Sequence, residues 1–351
     1  MRSTQGLLSE AWYAAIRSKD LAPAKPYHAE IMEEHVVLWR ETSGKVVALE
    51  DRCAHRNTPL SEGIIVNSCI ECPYHGWRYD GQGRCQGIPG ENIDGEPSFK
   101  VRVDSFPVQE KDGLVWVWMG RNTAPSREPV DMPKWNDASW DCYYMVTDFE
   151  NNVTNLIQNF MDVPHTVYVH RHSFRKQKKL KVAADVETNA EGVCVTYHQT
   201  QDSIGMGIAA KILNPKKRPM QHTDKFLYPN TSRVDYTFGN DETGFIITST
   251  CTPFSALRTR VYTLISHKLG IPALRFLGRI IFPSYTRKVI QEDVWIMKVN
   301  GNNLKRLQNP STTSTLVDFG HICVENIRDA AVEGKSPSDL PVKTKRMEFW
   351  V

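Results

Sequence analysis

Apolar and polar positions first fall into strand-like runs. Residues 35–40 and 45–50 flank a short turn containing Gly44, the pattern of a β-hairpin that leads into the segment at Cys53. Residues 113–119, Gly-Leu-Val-Trp-Val-Trp-Met, are apolar on both faces and predict a buried strand. Pro125, Pro129 and Pro133 then interrupt a polar stretch, a linker composition. Beyond it the spacing predicts a helix over 150–170, strands at 193–199, 233–239, 244–252 and 259–267, and a long helix from Tyr285 to about Leu307. The tail after Glu333 reads as irregular. Strands in a run, bracketed by helices, predict an α+β fold with an antiparallel sheet.

A chain of 351 residues with 40% apolar content can bury two cores. We expect a domain over 1–125, a linker over 126–140 and a second domain over 141–351. A net charge of +3 is too small to indicate nucleic acid by itself. Eight cysteines are scattered without a disulfide framework, and no charged, apolar, small-residue leader begins the chain, so a reducing cytoplasm is expected. No run of apolar residues has transmembrane length. The nearest, 261–282, is broken by His267, Lys268, Arg275 and Arg279. Within it Leu274, Leu277 and Ile281 recur at helical spacing; 271–282 reads as a surface helix packed on the core, the other reading being a helix on a membrane surface or beside the substrate's way in. Arg171, Arg175, Lys176, Lys178, Lys179 and Lys181 form a basic run without an acid, either solvated surface or a docking face for an acidic electron donor.

Two short motifs carry chemistry. Cys53-Ala54-His55 and Cys72-Pro73-Tyr74-His75 offer two thiolates and two imidazoles on paired loops, the ligand set of a Rieske [2Fe-2S] centre. Neutral imidazoles in place of two thiolates leave such a cluster less negative, so it accepts an electron more readily. Two Cys and two His also make a structural zinc site, and Cys69 adds a Cys-x-x-Cys with Cys72. A one-residue spacing is awkward for two ligands on one zinc, but it suits a loop that gives its Cys to one iron and its His to the other. Cys69 is then a bystander. Tyr74 and Trp77 are placed to screen the cluster from water.

The second motif is Asn159-Phe-Met-Asp162-Val-Pro-His165-Thr-Val-Tyr-Val-His170. Oxygen activation by ferrous iron wants two imidazoles and a carboxylate on one face of the metal. Asp162 and His165, three apart, share a helix face. His165 and His170, five apart, do not, so joint ligation needs a helix end or distortion near Pro164, whereas His172 returns to the face of His165.

The run CAHRNTPLSEG followed by CPYHGWRYDGQGRC resembles the Rieske domain of the non-haem iron oxygenases, from about Trp12 to Met119. Asn159, Asp162, His165 and His170 match the mononuclear iron motif of that family, which favours His170 over His172. The family's third ligand lies on a C-terminal helix, where Gln291-Glu-Asp-Val-Trp-Ile-Met297 offers Asp293 or Glu292. Asp293 is chosen, and Glu292 is read as an exposed salt-bridge partner of Lys288. The resemblance implies an N-terminal all-β Rieske domain and a C-terminal helix-grip catalytic domain of the START/Bet v 1 type. It also implies a homotrimer in which Asp162 hydrogen-bonds a neighbour's Rieske His75, and Asn159 beside the iron. The implied activity is that of a terminal oxygenase: O2 and electrons from NAD(P)H, passed through a separate reductase or ferredoxin, hydroxylate or demethylate an apolar or aromatic small molecule. The compact size resembles the monooxygenase and demethylase branch. Cis-dihydroxylation is the enzymatic alternative, and a Rieske electron carrier or zinc-stabilised binding module the non-enzymatic one. Met206, Ile208, Phe238, Phe245 and Ile247 are pocket candidates or core residues.

Overall fold

The computed structural model describes residues 7–120, 124–173, 180–198, 212–240, 242–307 and 310–350. Met206, Ile208, Arg175, Lys176, Lys178 and Lys179 lie outside the described residues. The chain divides into two compact units, Ser9–Asp131 and Met132–Val351, and the stretch ending at Leu8 groups with the second rather than with the domain expected over 1–125.

The first unit is all β: antiparallel sheets of three, four and five strands. Glu34–Arg40 and Val46–Glu50 pair as the expected hairpin, with Gly44 at φ +85, a left-handed turn position that suits glycine. Leu114–Trp118 is buried along its whole length, between Trp12–Arg17 and Val108–Lys111. The five-stranded sheet is a meander of short strands, and one of its turns, between Cys69–Glu71 and Arg78–Tyr79, carries the second Cys/His loop. The proline-bearing stretch is not slack. Arg127 and Pro129 give their carbonyls to Trp12 and Lys111 in the first unit; Pro133 and Lys134 give theirs to Ser266 and Cys142 in the second.

The second unit is built on one eight-stranded antiparallel sheet. Its strands, in chain order, are β1 (Asp141–Phe149), β2 (Lys181–Asn189), β3 (Gly192–His198), β4 (Met220–Leu227), β5 (Thr231–Phe238), β6 (Thr243–Ser255), β7 (Arg258–Lys268) and β8 (Thr344–Trp350). The spatial order is β1-β7-β6-β5-β4-β3-β2-β8. β8 corrects the expectation of an irregular tail. It pairs with β2 over seven residues, burying Met347 and Phe349 and turning charged residues outward. Register places Tyr143, Ile265, Ile247, Val234, Asp224 and Val195 in one cross-strand row on the inner face.

Among the described residues, four helices cover that face: α1 (Val153–Phe160), α2 (Thr166–Val169), α3 (Arg275–Arg306) and α4 (Phe319–Val332). The helix expected over 150–170 is therefore two. Asn152 caps α1 by accepting the Asn155 N–H at 2.8 Å, and Val153, Leu156 and Ile157 enter the core with Val195, Phe226, Cys251 and Val324. α1 stops at Phe160, so Asp162 and His165 do not share a helix face as expected; they lie on the connection to α2.

α3 merges two expected helices into 32 residues that run through Pro283. Its buried positions are Gly278, Thr286, Asp293 and Gly301, a stripe repeating every two turns. Leu274 packs inward, but Leu277 and Ile281 are about half exposed beside Phe276 and Ile280. The apolar face expected to pack on the core thus points outward, because small and polar residues occupy the packing stripe. No helix among the described residues is long and apolar enough to cross a membrane.

Candidate metal centres

The first centre sits on two loops over one core. Cys53 and Cys72 are buried in a cluster with Val37, Trp39, Leu49, Leu60, Ile70 and Tyr79. Each loop closes on itself: Asn57 N–H donates to the Cys53 carbonyl, and Gly76 N–H to that of Cys72. The His55 and His75 rings lie 4.6 Å apart, and Trp77 stacks on His55 at 4.6 Å and 6°. Tyr74, expected to screen the cluster, lies 3.9 Å from the His75 ring but is itself 65% exposed. The Tyr79 hydroxyl stands 3.3 Å from Cys53 Sγ and accepts the Ala54 N–H.

This donor set fits an iron-sulfur cluster. His55 Nδ1 is buried without a hydrogen-bond partner, an unmet group that a metal satisfies. Burial pushes the Cys72 thiol up, with Cys53 adding to the effect, and a coordinated metal removes that cost by taking the thiolate. Cys69 stands half-buried in the neighbouring strand, opposite Val66.

The second centre joins segments far apart in the chain. His165 precedes α2, His170 follows it, and Asp293 lies on the buried stripe of α3. One ligand atom from each falls within 4.8 Å of the others, and among the described residues this is the group of that kind. The two Nε2 atoms are 3.2 Å apart, and Asp293 Oδ1 lies 3.5 Å from His165 and 3.2 Å from His170. Donor atoms each about 2 Å from a shared ion stand roughly 3 Å apart, so the set fits a single metal. His165 Nδ1 is buried and unpartnered. Burial alone pushes the Asp293 carboxyl up, but hydrogen bonds from the two imidazoles outweigh it and hold it down to about 2. Burial also opposes charge on His170, and there Asp293 and Glu292 prevail and raise its pKa.

The Asn159 amide donates to Asp293 Oδ1 at 3.1 Å. Asp162 is less closely engaged: its Oδ2 lies 3.8 Å from His165 Nδ1, and burial pushes its carboxyl up. His172 is exposed and accepts from Arg171. Glu292 is a correction. It is no exposed partner of Lys288, because Oε2 lies 2.8 Å from His170 Nδ1 and Oε1 accepts the Ser173 hydroxyl at 2.6 Å. The pairing of Glu292 with His170 and Ser173 has no signal in the sequence, since 122 and 119 residues separate the partners. Of the pocket candidates, Phe238 is fully buried, whereas Phe245 and Ile247 stay partly exposed on the inner sheet face.

Residues 11–107 match the Rieske [2Fe-2S] domain, and residues 149–332 match the vanillate O-demethylase oxygenase C-terminal domain. The dicamba O-demethylase oxygenase component of Stenotrophomonas maltophilia is 38% identical over 164 residues, 46% of this chain and 47% of that protein. The vanillate O-demethylase oxygenase subunit of Pseudomonas sp. strain HR199 is 32% identical over 199 residues, 55% of this chain and 53% of that protein. The chain thus spans about half the length of the curated relatives it matches. The crystal structure of dicamba monooxygenase bound to dicamba superposes with a TM-score of 0.75 at 22% identity, covering 93% of this chain and 98% of that one, a likeness of fold. With a Rieske domain followed by this oxygenase domain, the chain belongs to the Rieske non-haem iron oxygenases.

Proposed function

We propose that the chain is a terminal oxygenase component. In this reading Cys53, His55, Cys72 and His75 hold the [2Fe-2S] cluster, His165, His170 and Asp293 hold ferrous iron, and a separate reductase or ferredoxin supplies electrons drawn from NAD(P)H. The observation that carries it is the convergence of two imidazole nitrogens and a carboxylate oxygen within 4.8 Å, in a chain that also bears the paired Cys/His loops. When bound, the cluster delivers single electrons and the iron activates dioxygen beside the substrate.

The chain's own groups prepare that chemistry. Asn159 fixes one oxygen of Asp293, so the carboxylate cannot swing away from the imidazoles. Val234, Phe245 and Ile247, partly exposed on the inner sheet face, offer an apolar wall that suits an aromatic or other apolar substrate and excludes water. In a homotrimer, Asp162 accepts a hydrogen bond from a neighbouring copy's Rieske histidine and links one cluster to the next iron. The relatives' names support oxidative demethylation: hydroxylating an O-methyl or N-methyl carbon leaves a hemiacetal or hemiaminal that breaks down and releases that carbon.

The test is turnover with a surrogate reductase on a panel of methylated aromatics under isotopically labelled dioxygen. Release of the methyl carbon with one labelled oxygen is expected. A cis-diol carrying both atoms refutes demethylation, and zinc in place of iron and sulfide refutes the oxygenase reading.

A further inference from the structure

We propose that Glu292 is the positioning residue that makes His170 a metal ligand, an inference that rests on the mononuclear iron reading above. An imidazole offers two different nitrogens, and which one faces a metal is set by what holds the other. His170 needs such a hold from outside its own segment. It caps the C-terminus of α2, four residues long, and so short a helix fixes little by itself.

The hold comes from α3. His170 Nδ1 lies 2.8 Å from Glu292 Oε2, and a carboxylate oxygen has no proton to give, so Nδ1 is the nitrogen that carries hydrogen. Nε2, the atom 3.2 Å from both Asp293 Oδ1 and His165 Nε2, is then the nitrogen left to give up its hydrogen and face a metal at this centre. Glu292 is itself fixed, since its second oxygen accepts the Ser173 hydroxyl at 2.6 Å. The Ser173 carbonyl in turn accepts the Tyr285 hydroxyl at 3.0 Å. Tyr285 and Glu292 are seven residues apart, two turns along one face of α3, so the contacts close a ring between that helix and the turn after α2.

Adjacent residues of one helix thus grip His170 on opposite sides: Asp293 at Nε2 and Glu292 at Nδ1. His165 has no matching support. Its Nδ1 is buried without a partner, and Asp162 stands 3.8 Å off. The two imidazoles are held unequally, with His170 as the fixed ligand.

The test uses the full-length protein with its cluster assembled and oxidised, the mononuclear site stripped, and cobalt(II) added as the probe. Readouts are the cobalt dissociation constant by chelator competition and the cobalt electron paramagnetic resonance line shape, which the oxidised cluster leaves clear. Glu292→Ala is expected to weaken cobalt binding about 10- to 100-fold, the usual scale for losing such a support, and to alter the line shape. Glu292→Gln keeps an oxygen able to accept from Nδ1, so it should fall between Ala and wild type and restore the line shape; that rescue also separates orientation from simple misfolding. Wild-type affinity and line shape in Glu292→Ala overturn the proposal, as does Gln behaving like Ala, which makes charge rather than orientation the cause. If the wild-type protein binds no cobalt that Asp293→Ala abolishes, the iron reading itself falls and takes this inference with it.

Discussion

Gly301→Ala should damage the iron site more than the fold. Gly301 lies on the buried stripe of α3, and a Cβ there would sit 2.0 Å from the Glu150 carbonyl oxygen, where real contacts do not fall below 3.0 Å. α3 and the Glu150 backbone just past β1 must therefore part by at least the 1.0 Å difference, because the obstacle is backbone and cannot rotate aside. Alanine regains about 1 kcal/mol of helix propensity, while overpacking costs about 1–3 kcal/mol, so net stability falls by at most about 2 kcal/mol. Asp293 rides the same helix eight residues earlier, roughly 12 Å along its axis, and a displaced helix carries the carboxylate with it. A misplacement on the order of 1 Å at a reacting centre costs about 100-fold in rate. The assay pairs melting temperature with mononuclear iron content, the cluster's visible spectrum and turnover. Wild-type iron content and turnover in Gly301→Ala would show that α3 is not held to Asp293's position by its contact with Glu150.

Asp293→Ala should lose mononuclear iron and all oxygenation while the cluster spectrum persists; full activity would point to another carboxylate. Tyr79→Phe removes the hydroxyl 3.3 Å from Cys53 Sγ, so the cluster should become harder to reduce, and a spectroelectrochemical titration giving an unchanged midpoint would refute the contact's role. Burial holds His267 neutral and pushes it down to about 4, with neither ring nitrogen hydrogen-bonded. The unfolded chain binds this proton near pH 6.5, so stability should fall as pH drops from about 6.5 towards 4, by about 3 kcal/mol in all, and His267→Phe should flatten that slope in urea titrations. Asp162→Asn should keep both metals yet slow cluster reoxidation in a single turnover with substrate and dioxygen; wild-type rates would return Asp162 to a structural role.

The parts of the fold that were legible are those whose pattern is local. The hairpin around Gly44, the buried strand Leu114–Trp118 and the strands β5 to β7 each carry their hydrophobic period within a few residues. β1 does not: Tyr143 and Met145 point inward, while Tyr144 and Val146 on the opposite face are as apolar, so no alternation marks it. β8 hides its two inward residues, Met347 and Phe349, among charges. The packing face of α3 within 271–282 escapes hydropathy for a stronger reason. Gly278 and Gly301 pack because they lack side chains, and Asp293 is buried because imidazoles receive it, so hydropathy points to the wrong face.

The same distinction runs through the candidate site. The four Cys/His positions lie within 23 residues on two loops, and one reading of spacing finds them all. His165 and His170 also stand out, but spacing alone prefers His172, and only the end of α2 at Val169 frees His170 to turn inward. The carboxylates are harder still, because Asp162, Glu292 and Asp293 are the same chemistry set in three environments. One is half-engaged beside His165, one accepts from the outer nitrogen of His170, and one faces both inner nitrogens. What separates Glu292 from Asp293 is roughly 100° of helical rotation, which directs consecutive side chains to opposite sides of one imidazole. A difference of role this sharp between neighbours exists only once α3 has been laid against the turn after α2, and so it belongs to the tertiary fold rather than to any local run of residues.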